Sequence, residues 1–135
     1  AVKSNWIEVP KHMYYYSNLH LLKVVNNLRY RFNKEGIIYG IRCVVTENMY
    51  IGSTNDSVGR FNKHLITGDS NVALQDAITM YGLSKFKVYI FQYVEFPHNA
   101  TYVERKEMLR LVEQRYLDMY PSDQLYNSIN AVDSK

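Results

Sequence analysis

The sequence predicts an α+β fold in which a small mixed or antiparallel three-stranded sheet is flanked by helices, in the order β-β-α-α-β-α-β after residue 35. Three observations lead there. Apolar and β-branched residues gather in short runs over residues 37–45 and 49–52, with turn chemistry between them. Residues 71–81 and 101–120 instead space their apolar side chains at helical intervals. The chain has 135 residues, 47% of them hydrophobic and 21% charged, which suits one globular domain and is short for two.

Each element has its own warrant. Ile37, Ile38, Tyr39, Ile41, Cys43, Val44 and Val45 make a β-rich run. Thr46-Glu47-Asn48 supplies the turn, and Met49-Tyr50-Ile51-Gly52 resumes as a strand that closes a hairpin. Residues 53–57 offer several capping side chains for a helix to about residue 66, which Gly68 ends. A second helix over residues 71–81 sets Val72, Leu74, Ala77, Ile78 and Tyr81 on one side and stops at Gly82. Phe86, Val88 and Ile90 mark a strand over residues 85–94. Thr101 and Glu104 match a capping box at the head of a long helix to Tyr120, with Pro121 as its stop. Residues 126–129 read as a short closing strand. Ahead of all this, residues 14–30 show loose helical spacing in Leu19, Leu22, Val25 and Leu28. The expected organisation is a basic N-terminal extension over residues 1–35, a core domain over 36–130 and a tail at 131–135. Deleting residues 1–30 should then leave the fold intact and weaken nucleic-acid binding.

Composition narrows the function classes. No apolar run approaches the roughly 18–20 residues of a membrane span, so a soluble chain is expected. The lone Cys43 excludes an internal disulfide framework and favours a reducing compartment. Tyrosine is abundant, 13 against 5 Phe and 1 Trp, which fits stacking surfaces, wet interfaces or an AT-rich coding genome. The formal charge of +3 is unevenly spread: residues 1–35 carry six Lys and Arg against two acids, while the remainder is nearly balanced. Residues 26–34 interleave cations with aromatics, a pattern suited to nucleic-acid backbone and bases. Lys23, Arg29, Arg31 and Lys34 are therefore candidate nucleic-acid contacts, with Arg60 and Lys63 further along. An acid-poor front also fits a targeting peptide, and because the chain opens on Ala1, a processed form, a fragment or a fusion product is expected.

Several chemistries drop out. His12, His20, His64 and His98 lie at no spacing that sets two imidazoles on one metal. Tyr50-Ile51-Gly52-Ser53 holds one glycine where a nucleotide loop needs several. Cys43 sits in an apolar strand, where a thiol acts as a small core residue. What remains is a polar set around the hairpin. Arg60 and His64, four apart on one helix, share a face. On the long helix Leu109, Val112, Tyr116 and Tyr120 mark the buried stripe, with Glu113 at its margin, where a carboxylate needs a partner. Spacing does not assemble these residues into a site.

Motifs do. Ile38-Tyr39, then eleven residues beyond that tyrosine Tyr50-Ile51-Gly52-Ser53-Thr54, then Arg60 and His64, resemble the signature of the GIY-YIG nuclease family. Residues 80–86, Val112-Glu113-Gln114-Arg115-Tyr116-Leu117-Asp118 and Tyr126-Asn127 continue the pattern in order. The chain is most similar to the intron-encoded homing endonucleases of that family, over about residues 36–130. One departure is visible: Ile37 stands where the first motif has its glycine, with Gly36 one place earlier, so the opening strand is expected to approach its neighbour less closely.

The resemblance implies hydrolysis of a DNA phosphodiester with one divalent ion, usually Mg2+. It assigns the metal to Glu113 and stabilisation of the phosphate's developing charge to Arg60, whose fixed fork suits that task. Tyr39, with Tyr50 and His64 nearby, would orient and deprotonate water. A phenol must fall about 3 pKa units, about 4 kcal/mol, to act near neutral pH, whereas histidine starts near 6.5. Tyr39 is therefore expected to touch the water and His64 to take the proton, with the reverse order open. Asn127 matches a position that organises the site through hydrogen bonds. Intron-encoded members usually carry DNA-recognition modules, which base-specific cleavage needs.

Two function classes follow: a metal-dependent DNA endonuclease domain of homing type, or a domesticated relative that binds structured RNA in a ribonucleoprotein such as an organellar ribosome. A repair or restriction nuclease of the same family is a third option. Mitochondrial or other organellar matrix is the expected location.

Overall fold

Seven of the eight residues of Gly36–Cys43 are buried, and a strand so apolar on both faces must be covered on both. In the computed structural model, which describes residues 8–129, it is an inner strand. The sheet is antiparallel and four-stranded: β1 (Tyr14–Tyr16), β2 (Gly36–Cys43), β3 (Met49–Thr54) and β4 (Phe86–Val94), in lateral order β1-β4-β2-β3. The β2–β3 hairpin pairs Tyr39 with Gly52 and Ile41 with Tyr50. The β2–β4 register shifts between Ile38 and Tyr39, a bulge beside the position that matters most below.

Alternation along the strands splits the core in two. Ile37, Tyr39, Ile41 and Cys43 face a cluster that includes Val25 and Leu28 of α1 (Leu22–Arg31), Phe61 of α2 (Ser57–Asn62) and Leu74 of α3 (Val72–Tyr81). Ile38, Met49, Ile51 and Phe91 face the other way, toward Leu109 of α4 (Tyr102–Leu117) and Tyr120 and Leu125 beyond it. Three helices therefore cover one face and α4 the other.

The expected caps are present. Asn71 accepts from the Leu74 amide at the start of α3, and Thr101 and Glu104 close a reciprocal capping box on α4. Gly68 and Gly82 terminate their helices at φ +70° and +84°. Glycine in the first motif also does its work from one place early. A Cβ on Gly36 would fall 2.6 Å from the Val94 carbonyl oxygen and 2.7 Å from the Phe96 ring. The close approach expected to be lost with Ile37 is thus supplied by Gly36.

Two elements differ from expectation. Residues 14–16 are not helical but form β1, which pairs with Val88, Tyr89 and Ile90 of β4, and the helix starts only at Leu22. The reason is nonlocal: β4 offers an open edge, and a tyrosine-rich triplet pairs there in spite of its helical context. Conversely, the expected strand at residues 126–129 reduces to one parallel bridge, Met49 to Leu125. Leu19, Val25, Leu28 and Phe32 all lie 0–2% exposed in the main cluster, so the segment read as a detachable basic extension supplies core side chains. The expected tail at 131–135 and Lys3 lie outside the described residues.

Candidate active site

The site grows from one cross-strand pair. Tyr39 sits opposite Gly52, and a Cβ on Gly52 would collide with the Tyr39 phenol, so only glycine lets the ring cross the hairpin. Phe61 packs on that ring at 4.8 Å between centroids. Tyr39 is 1% exposed, whereas Tyr50, its ring 6.4 Å away, is half-buried and reaches the surface.

α2 begins where Asp56 accepts from the Gly59 amide, and it continues into a π-helical turn at Lys63–Thr67. That wider turn carries His64 inward. The His64 ring is 1% exposed, its Nε2 lies 2.7 Å from the Tyr39 hydroxyl and its Nδ1 lies 2.8 Å from Ser70 Oγ. Gln75 Nε2 donates to both Ser70 Oγ and the His64 carbonyl, each at 2.9 Å.

From the other face of the sheet, α4 directs Glu113 to the same edge strand. Ser53 Oγ donates to Glu113 Oε1 at 2.6 Å, which is the partner that a carboxylate at the stripe's margin needs. Asn127 accepts from the Ile51 amide at 2.9 Å and donates to the Ile51 carbonyl at 2.7 Å, which occupies backbone groups on the free side of β3. The six polar residues expected from sequence thus meet around β3. Ser53, Ser70 and Gln75 join them. Ser53 was visible inside the second motif but carried no role, and Ser70 and Gln75 carried no sequence signal, because tertiary folding alone brings them to His64.

Electrostatics tie the group together. Burial raises both phenols above the ordinary tyrosine range, most strongly Tyr39, while Arg60 pulls both down and Glu113 pushes both up. Burial first and Arg60 second push His64 down to about 3. The native state therefore holds His64 neutral, while the unfolded chain takes up a proton near pH 6.5. The His64 contribution is full above 6.5 and declines as pH falls toward 3, by about 5 kcal/mol in all. Urea titrations between pH 7 and 4 should show stability falling with acid, and His64→Gln should flatten that slope. A slope unchanged in the variant would show that other groups set it.

The expected nucleic-acid contacts divide. Arg29 donates through Nε to the Val58 carbonyl at 3.0 Å and through a terminal nitrogen to Asn26, fastening α1 to α2. Arg31 lies over the Tyr14 ring at 4.0 Å and donates to the Tyr16 hydroxyl, fastening α1 to β1. Arg29 is half-buried in these contacts, whereas Arg31 makes them from an exposed position. Lys23, Lys34 and Lys63 are exposed. Arg60 and Lys63 line a polar cleft of about 260 Å³ beside the site, together with Thr54, Asn55, Tyr102 and Lys106.

The family model for the GIY-YIG catalytic domain matches residues 35–123. This chain belongs to the GIY-YIG family. A curated relative, "Probable intron-encoded endonuclease 1" of Neurospora crassa, is 35% identical over 118 residues, covering 87% of this GIY-YIG chain and 38% of the relative. The chain therefore spans well under half the length of that protein. No solved structure matches it.

The GIY-YIG residues suit a hard divalent cation. Glu113 is a single oriented carboxylate, and among the described residues no group of three or more His, Cys, Asp or Glu side chains gathers. The Glu113 oxygens are the donor type that a hard divalent cation takes.

Proposed function

We propose that this chain is the catalytic domain of a DNA endonuclease of intron-encoded homing type, hydrolysing phosphodiester bonds with one Mg2+. The observation that carries the reading is the meeting of Arg60, Tyr50, the Tyr39–His64 pair and Glu113 around one sheet edge, beside a cleft lined with cations. Glu113 would hold the ion, whose chemistry is Lewis-acid polarisation of the scissile phosphate. Arg60 faces the phosphate and stabilises its developing charge. Lys63 and Lys106 line the cleft with Arg60, against one acid, Asp56.

Burial supports a different division of labour at the water from Tyr39 touching it and His64 taking the proton. Tyr39 and His64 are each 1% exposed, and an imidazole held at about 3 takes up a proton at pH 7 only at a cost of about 5 kcal/mol. In this reading His64 stays neutral and another group takes the proton. Tyr50 is the phenol that reaches solvent and contacts the attacking water in this reading, with Tyr39 and His64 holding the edge from behind. The RNA-binding alternative drew in part on a basic front segment, and a detachable arm is a poorer fit now that Leu19, Val25, Leu28 and Phe32 of that segment lie in the core and Arg29 is tied to Val58.

The test is incubation of the purified chain with supercoiled plasmid, with Mg2+ or with a chelator. Nicking that needs the ion is expected. Binding that weakens steeply with salt, with no cleavage under any divalent ion, would favour a binding protein instead.

A further inference from the structure

We infer that Ser70 and Gln75 are positioning residues that hold His64 as its Nδ1–H tautomer, so that the buried Tyr39 hydroxyl donates inward to Nε2 and is fixed in direction behind the site's edge strand. The inference rests on the proposed activity only for its catalytic consequence.

The argument is an accounting of donors and acceptors. Gln75 is oriented without ambiguity, because the His64 carbonyl only accepts and so must face the Gln75 amide nitrogen. The same nitrogen donates to Ser70 Oγ and occupies one of its lone pairs. Ser70 then retains one lone pair and one hydrogen, and either could face His64 Nδ1 at 2.8 Å. The far end of the chain decides between them. Tyr39 is 1% exposed, and among the described residues its hydroxyl has one polar partner, His64 Nε2 at 2.7 Å. If Nε2 carried the hydrogen, the phenol hydrogen would be buried without an acceptor, at a cost of about 1–3 kcal/mol. If the phenol donates, every buried group is satisfied: Nε2 accepts, Nδ1–H donates to Ser70, and Ser70 turns its own hydrogen toward solvent from its half-buried position. A neutral ring fits its burial, and among the described residues its hydrogen-bond partners are hydroxyls, not carboxylates.

The functional consequence is directional. Tyr39 sits opposite Gly52 behind the edge strand, and a buried phenol that spends its hydrogen on His64 presents only lone pairs to its other neighbours. Loss of Ser70 would leave Nδ1–H without its acceptor and free the ring to change tautomer, turning Tyr39 from donor to acceptor toward Nε2.

The experiment is long-range nitrogen–proton correlation NMR of the histidine rings in the full chain without DNA, with the His64 signals assigned by His64→Gln. Wild type should show a protonated Nδ1 and an unprotonated Nε2. Ser70→Ala should show the opposite tautomer or a mixture, and Ser70→Thr, which keeps the hydroxyl, should restore the wild-type pattern. In plasmid nicking, Ser70→Ala should lower kcat by about tenfold with KM within about twofold, as expected for partners that orient functional histidines. A wild-type ring protonated at Nε2, or a tautomer that Ser70→Ala leaves unchanged, overturns the inference. Because the tautomer is read without substrate, a chain that fails to nick DNA while keeping the expected tautomer would count against the nuclease reading and for this one.

Discussion

Deleting residues 1–30 is expected to abolish cooperative folding. The deletion removes β1, which exposes the paired edge of β4, and it takes away Leu19, Val25 and Leu28, each 0–2% exposed in the main core. Emptying one such site costs about 2–5 kcal/mol. Three of them together approach or exceed the roughly 5–15 kcal/mol that holds a domain of this kind folded. Arg29 adds to the loss, because it joins α1 to α2 through the Val58 carbonyl, and the Ser57 hydroxyl donates back to the Arg29 carbonyl at 2.6 Å. Thermal unfolding followed by circular dichroism, together with amide NMR dispersion, reads the outcome. A truncated chain that keeps a sharp transition and a dispersed spectrum would show the segment to be an accessory after all.

Glu113→Gln is the second large effect. The substitution preserves volume and leaves an oxygen that can accept from Ser53, so stability should change by less than about 1 kcal/mol. It removes the negative charge of the single carboxylate proposed to hold the ion. If the ion supplies several kcal/mol of transition-state stabilisation, the cleavage rate should fall by about a thousandfold or more, since each factor of ten corresponds to about 1.4 kcal/mol. The measurement is single-turnover nicking at saturating Mg2+, with the melting temperature of the variant as its control. Ser53→Ala should fall between wild type and Glu113→Gln, because it frees the carboxylate without neutralising it. Undiminished cleavage by Glu113→Gln would remove this residue from the chemistry.

Much of this molecule was legible in its sequence, for reasons that can be named residue by residue. The hairpin, the caps at Asn71 and Thr101 and the stops at Gly68 and Gly82 are written in neighbouring residues, because the forces that form them act over a few positions. Gly52 was visible as part of a motif, but its reason was not: it is glycine because the ring of Tyr39 crosses it. Residues 14–16 were misassigned because a three-residue strand has almost no pattern of its own, and what fixes it is the vacant edge of β4. Arg29 and Arg31 read as an unpartnered cationic run because charge in a sequence does not reveal its partner, and although Arg31 is exposed, both have one. Val58 and Tyr14 come within reach only after α1 packs.

The sequence by itself determined the α+β class, the GIY-YIG motifs and the residues that meet at the site, because local propensity and motif spacing survive in one dimension. Only the tertiary structure decided that the basic front segment completes the sheet and core. It also decided that Tyr39 and His64 are buried while Tyr50 reaches the surface, and that Ser70 and Gln75 stand behind the imidazole. Burial and hydrogen-bond partnership belong to pairs of residues distant along the chain, and those pairs exist only once the chain has folded.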